Sequence, residues 1–245
     1  MNKIARLSNL ITYSITAIRR RGIAFLWTYF IESIWFDWKN KTNTSVRVPK
    51  SDQVVEGSGS EQDDGLLYVA SFTSVVKNSV QAAKTYIGSS TFERTQFVDL
   101  GCGKGKTLLQ FALHERAGNS HPAIGIEYDG ALADIARQNV RKCKLEDSVV
   151  IHTASALDVC DFLASGTVLF YLYNSFQGET LRQFLSAVEH LPHCLIYVDP
   201  VEKRTVVDDF GYVPVKDVVG KYHANTWMLL ASKQMAGTAS DDRIN

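Results

Sequence analysis

The chain has 245 residues, 45% of them hydrophobic and 21% charged, the balance of an ordinary soluble globular protein. That length allows one sizeable α/β domain plus an appendage and excludes two full domains of typical size, so a packed core is expected without a disulfide scaffold. The net charge is zero but unevenly placed: residues 1–50 carry nine basic side chains against Glu32 and Asp37, a surplus of seven that the remainder balances. Such asymmetry suits an N-terminal part that meets an anionic surface, whether lipid, nucleic acid or the acidic body of the same protein. The cysteines Cys102, Cys143, Cys160 and Cys194 form no C-x-x-C pair, and the histidines complete no zinc-like spacing. A reduced, cytoplasmic compartment without a structural metal is the simplest expectation.

Taken in chain order, residues 1–41 read as an N-terminal helical extension. Ile23, Leu26, Trp27, Phe30, Ile34 and Trp38 recur at steps of three and four, which places them on one helical face. Arg19, Arg20 and Arg21 precede the apolar run Gly22 to Phe36, imitating a signal anchor. The run is only fifteen residues long and contains Glu32, too short to span a bilayer, and it lacks the position and small-residue end of a cleavable signal. Two readings of residues 4–38 remain: a stripe packed on the main domain or on another protomer, or an interfacial helix peripheral to a membrane.

Residues 42–65 lose the periodicity. Ser51-Asp52, Glu56-Gly-Ser-Gly-Ser60 and Asp63-Asp-Gly65 predict a flexible linker. From 66 to 235 an α/β domain is expected. It opens with a helix over 66–87 that turns Phe72, Val75, Val76, Val80 and Ala83 inward. Apolar strands at 96–100, 123–127, 149–152, 167–173 and 194–198 follow, separated by helices at 107–116, 131–144 and 178–189 and a short helical piece at 159–163. Strands that are apolar throughout, each followed by a helix, indicate a parallel sheet covered on both faces. Segments 212–219 and 226–232 leave no room for a crossover helix, so an antiparallel pair at the sheet edge is expected. Residues 236–245 read as a disordered tail.

The most informative segment is Phe97-Val-Asp99-Leu-Gly101-Cys-Gly103-Lys-Gly105-Lys-Thr107. Alternate glycines let the backbone turn sharply out of the strand and approach a ligand, and the amides opening the next helix face that ligand. A Walker A loop fails, because the position five before Gly105 is Leu100. A dinucleotide fingerprint starting at Gly101 fails at Lys106. The remaining pattern is D-x-G-x-G-x-G with an acid at the strand end. Glu127 closes the second strand twenty-two residues past Gly105, where a carboxylate can accept from both hydroxyls of a ribose.

With these two motifs, the chain resembles the class I S-adenosylmethionine-dependent methyltransferases over roughly residues 66–232. It is similar in particular to a bacterial group with an Asp-Leu-Gly-x-Gly-Lys-Gly loop and a Leu-Tyr-Asn-Pro-Phe end to the fourth strand, which here reads Leu172-Tyr-Asn174-Ser-Phe176. The resemblance implies a Rossmann-like seven-stranded sheet, mostly parallel with an antiparallel C-terminal strand, and S-adenosylmethionine as cofactor. It implies that Asp99, Gly101, Gly103, Gly105 and Glu127 hold the cofactor. Tyr68 and Ser71 match the group's Tyr-x-Pro-Ser/Thr segment, without its proline. Ala154, Ser155 and Ala156 stand where the family has Gly-Asp-Ala, so the Ser155 hydroxyl replaces the adenine-reading acid, with Asp158 two residues past Ala156.

The resemblance also implies that Asn174 and Phe176 form the catalytic loop. Asn174 would accept a hydrogen bond from an N–H acceptor and Phe176 would stack on a flat or cationic group. Ser175 replaces the family's proline, which costs rigidity where alignment matters. Tyr171, Tyr173, Asp199 and His223 are candidate proton acceptors that no spacing distinguishes. The expected reaction is N-methylation of an unidentified small molecule or protein side chain. The alternatives are a non-catalytic S-adenosylmethionine-binding module and a membrane- or partner-recruited protein that works through its N-terminal helices. Nucleic acid is a minor option, because the basic residues cluster on the extension and not around the predicted pocket.

Overall fold

The alternation of apolar segments closes into one sheet in the computed structural model, which describes residues 27–28, 30–45, 70–115, 120–220 and 226–241, with side chains through 237. The strands are β1 (Gln96–Leu100), β2 (Ala123–Glu127), β3 (Val149–Thr153), β4 (Val168–Tyr173), β5 (His193–Val198), β6 (Val213–Val218) and β7 (Trp227–Ala231). They lie in the order β3-β2-β1-β4-β5-β7-β6. β1 to β5 run parallel, and β7 runs antiparallel to both β5 and β6. This is the Rossmann-like, mostly parallel seven-stranded arrangement expected from the sequence.

Around the sheet lie α1 (Trp35–Asn40), preceded by a π-helical turn (Phe30–Ile34), then α2 (Thr73–Ile87), α3 (Ser89–Phe92), α4 (Lys106–Glu115), α5 (Gly130–Lys142), α6 (Gly178–Val188) and α7 (Lys233–Asp241). Alternate strand residues feed two cores. Phe97, Leu169 and Tyr171 join Val76, Val80, Leu108 and Phe111 from α2 and α4 on one face. Val98, Phe170 and Leu172 join Leu181, Phe184 and Leu185 from α6 on the other. Every residue of β1, β2, β5 and β7 is buried, which explains why these strands are mostly apolar without a polar-out alternation, their polar residues being Gln96, Asp99, Glu127 and His193. β6 is largely exposed and carries Pro214 at an irregularity in its pairing, as an edge strand tolerates.

Two sequence expectations are corrected. The segment expected to be a disordered tail begins as helix α7: Ser232 Oγ accepts from the Met235 amide at 3.2 Å, and Met235 is buried in the first core, giving the helix a start and an anchor. Packing of the N-terminal stripe on the main domain, one of the placements left open by the sequence, is not what the structure shows. Trp27, Phe30, Ile34 and Trp38 face outward, and Ser33 and Phe36 face the domain; Ile23 and Leu26 lie outside the described residues.

Polar anchors fix that orientation. The Glu32 carboxylate accepts from Thr73 Oγ1 and from the Ser74 amide, so it caps α2 from another element. The helix expected over 66–87 is described as Thr73–Ile87, with 70–72 outside it and 66–69 outside the described residues. Asp37 accepts from the hydroxyls of Thr42 and Thr44 and the amides of Thr44 and Ser45. Burial alone would raise its carboxyl pKa, but these four donors outweigh burial and hold it below the usual range. Residues 42–45, expected to open a flexible linker, are therefore tied down; 46–65 lie outside the described residues.

Candidate cofactor site at the switch point

In an open α/β sheet, ligands bind at the carboxyl ends of the strands where the strand order reverses, here between β1 and β4, with the end of β2 on the other side of β1. The glycine-rich loop leaves β1 at this point. Its Gly101 and Cys102 amides donate to the Ile126 carbonyl at 2.9 and 3.0 Å, which lays the loop against the end of β2. Gly101 has φ +69°, and a Cβ there would sit 2.4 Å from Ser175 Cβ, so only glycine fits. Gly103, at φ +53°, presents its amide to Glu127 Oε2 at 2.6 Å, and Gly105 opens α4.

Two carboxylates meet here. Asp99 is 3% exposed, accepts from the Thr107 hydroxyl on α4, and keeps Oδ2 buried without a hydrogen-bond partner among the described residues. Glu127 accepts from the Gly103 amide and, at 2.9 Å, from the Asp129 amide. Burial, then the charge of Glu127, pushes the Asp99 pKa up to about 8 against the pull of Thr107. Burial likewise pushes Glu127 up to about 7, although the amides of Asp129 and Gly103 work against it. Two buried acids held close to protonation, one with an unmet oxygen, form a site short of a cation and of hydrogen-bond donors.

The remaining expected residues fall as follows. Ser71 is buried and accepts from Tyr171 Oη at 2.9 Å, across from Asp99 in the β1–β4 register. Tyr68 and His223 lie outside the described residues. Ser155 Oγ caps the helical turn Ala156–Phe162 by accepting from the Leu157 amide at 2.9 Å, while Ala156 packs on the second core and Asp158 is exposed. Asn174 takes a left-handed turn (φ +42°) at the end of β4, and its Oδ1 accepts from Gln177 Nε2 at 3.1 Å. Phe176, expected to stack on an acceptor, is instead 6% exposed and meets Phe184 edge-on, so its ring belongs to the core. The Tyr171 hydroxyl is engaged with Ser71 and its pKa is pushed well up by burial, which removes it as a ready base.

Three contributions had no sequence signal beyond a residue type. Thr107 steadies Asp99. Ser175, the departure from proline, donates to the Leu100 carbonyl at 2.9 Å and so pins the β4 loop to the end of β1. Replacing Ser175 with alanine is expected to cost about 1 kcal/mol of stability, the net worth of a typical hydrogen bond, readable by urea titration. Lys106, 2% exposed, donates to the Glu32 carbonyl at 2.6 Å and lies 5.5 Å from the Phe36 ring centroid. Burial lowers its pKa to about 8 while Asp37 and Glu32 oppose the fall. The N-terminal helix is thus keyed to the residue that follows the last glycine of the loop. Asn139 of α5 adds a second tie: its Nδ2 donates to the Lys104 carbonyl and its Oδ1 accepts from the Asn43 amide, each at 3.0 Å.

The sheet order is that of a Rossmann-like, mostly parallel seven-stranded fold, with the two strand-end acids at the carboxyl edge of its sheet. No protein-family model matches the chain, and no curated protein is similar to it. Solved structures are similar in fold. A magnesium protoporphyrin IX methyltransferase from Synechocystis PCC 6803 with bound S-adenosylmethionine is 14% identical over 85% of this chain and 96% of its own, with a TM-score of 0.47. An RNA methyltransferase from Salinibacter ruber in complex with S-adenosyl-L-homocysteine is 18% identical over 66% and 93%, at 0.45. A mutant of MtNAS in complex with S-adenosylmethionine is 16% identical over 64% of this chain, at 0.45, and the chain spans 62% of that protein.

Proposed function

We propose that this chain is an S-adenosylmethionine-dependent methyltransferase that methylates a nitrogen of a small molecule or of a protein side chain. The observation that carries the reading is the buried Asp99 Oδ2 without a partner, set beside Glu127 at the switch point. A ligand that brings an ammonium group and a ribose diol answers both carboxylates. Asp99 would hold the ammonium, Glu127 the hydroxyls, and Gly101, Gly103 and Gly105 would leave room for close approach. When bound, S-adenosylmethionine supplies a methyl group on a sulfonium, a good leaving group that needs alignment more than activation.

The chain's own residues provide that alignment. Ser175 fixes the β4 loop on Leu100, and Asn174 offers a side-chain carbonyl at the β4 edge, where an acceptor N–H could take the place of Gln177. Asp199, in a left-handed turn (φ +47°) at the end of β5, borders the same edge. A second reading, a non-catalytic cofactor-binding module, is favoured by the core placement of Phe176. Methyl transfer to any acceptor in a cell lysate excludes it.

Calorimetric titration with S-adenosylmethionine tests the cofactor, and its pH dependence tests the site. Both acids have raised folded-state pKa values, so the folded protein holds protons that the unfolded chain has released. Without ligand, their contribution therefore makes stability fall as pH rises from about 4 toward 8. A cationic ligand favours the ionised acids. Binding at pH 6.5 is expected to release about one to two protons, seen as a dependence of heat on buffer ionisation, and close to none at pH 9. Absence of binding at millimolar ligand would sink the enzyme reading and leave the fold standing.

A further inference from the structure

We infer that the outer face of the N-terminal helix is a docking surface for an anionic phospholipid membrane. Trp27 (67% exposed), Phe30, Ile31, Ile34, Trp35 (48%) and Trp38 (70%) make one continuous outward stripe, and the indoles of Trp35 and Trp38 stack with centroids 4.8 Å apart. Large apolar side chains grouped this way on a surface mark an interaction site. The inner face is committed elsewhere. Phe36 is buried, Ser45 Oγ donates to the Ser33 carbonyl at 2.9 Å, and Glu32, Asp37 and the Glu32 carbonyl hold the contacts to α2, residues 42–45 and Lys106. The helix cannot roll to bury its stripe without breaking these bonds.

Charge selects the occupant. Glu32 and Asp37, the only acids in residues 1–50, both engage inward-facing partners, so the outward face carries no carboxylate. Lys39 and Lys41 are exposed beside the tryptophans, and Lys3, Arg6, Arg19, Arg20 and Arg21 precede them in the chain. An aromatic and basic face without acids is the pattern of a helix lying in the headgroup region, where indole N–H groups stay wet and lysines reach phosphates. A second copy fits poorly. A symmetric contact through this face would set the exposed Lys39 and Lys41 of each copy against those of the other, with Glu32 and Asp37 already engaged inward. No helix among the described residues is long and apolar enough to cross a membrane. Because α1 also holds Lys106, docking fixes the glycine-rich loop relative to the membrane plane.

The test is cosedimentation of the full chain with vesicles of phosphatidylcholine alone or mixed with phosphatidylglycerol. Tryptophan emission provides a second readout, since three of the four tryptophans lie in the stripe and Trp227 is buried. Binding to the anionic vesicles is expected to be at least about tenfold tighter than to neutral ones, to weaken with salt, and to shift emission to the blue. The double variant Trp35→Ser/Trp38→Ser should lose about tenfold or more of that binding while keeping its S-adenosylmethionine titration. Lys39→Glu/Lys41→Glu should remove most of the preference for anionic lipid. Several results overturn the inference: no binding to anionic vesicles, equal binding to both kinds, or binding undiminished in the tryptophan variant. A wild-type dimer lost in that variant, without lipid binding, would assign the surface to a second copy instead.

Discussion

Replacing Glu127 with glutamine is expected to weaken S-adenosylmethionine binding by about 100-fold while leaving the fold nearly as stable. Hydrogen bonds to an ionised group are worth roughly 1.5–3 kcal/mol each, so two ribose hydroxyls on one carboxylate account for a loss of that size even after the exchange of its existing donors. Those existing donors are the Gly103 and Asp129 amides. Glutamine keeps one carbonyl acceptor for them and no longer has a charge to bury. Since burial already holds Glu127 up to about 7, the variant resembles the protonated wild type. Calorimetry should therefore show the affinity loss, and urea unfolding at pH 7 should show a change within about 1 kcal/mol. A variant that binds like wild type would remove Glu127 from the cofactor site. One that unfolds outright would give the acid a structural role instead.

The second large effect is on stability. Gly101→Ala is expected to destabilise the chain by about 3 kcal/mol, of which about 1 comes from a left-handed backbone on a residue with a Cβ and the rest from overpacking. The new Cβ would fall 2.4 Å from Ser175 Cβ and 2.5 Å from its Oγ, and Ser175 is itself pinned to Leu100. For a chain of this size the melting temperature should drop by roughly 6–12 °C. Adding Ser175→Gly removes the clash, leaves the backbone strain and deletes the Ser175–Leu100 hydrogen bond, so the double variant should lose clearly less than the sum of the two single losses. Simple additivity of the two single losses would show that the two loops do not meet as described.

The two variants probe parts of the site that differ in how legible they were. Asp99, the alternate glycines and Glu127 stand at fixed distances along the chain, and the strand-turn-helix geometry converts those distances into positions at one sheet edge. The strand boundaries were similarly readable: Gln96–Leu100 and Ala123–Glu127 are where the apolar runs begin and end. Ser175 on Gly101 was not readable, because the contact joins residues far apart in sequence across two parallel strands. Phe176 was misplaced for a related reason. An aromatic after a strand can face the ligand or the core, and only the position of Phe184 on α6 decides which.

The sequence by itself determined the architecture and the acid-glycine-acid layout, since burial of strands on both faces and a tight turn at a strand end impose local patterns on residue type. It also held the charge imbalance of residues 1–50, which is a matter of counting. Tertiary structure decided the direction of the N-terminal stripe. Periodicity marks which side chains share a helical face but not whether that face meets protein or surroundings. Glu32, Asp37, Phe36 and Lys106 settled it, because buried charges require partners and the partners lay on the domain. The raised pKa values of Asp99 and Glu127 belong to the same class of fact, arising from desolvation that exists only once the sheet has closed around them.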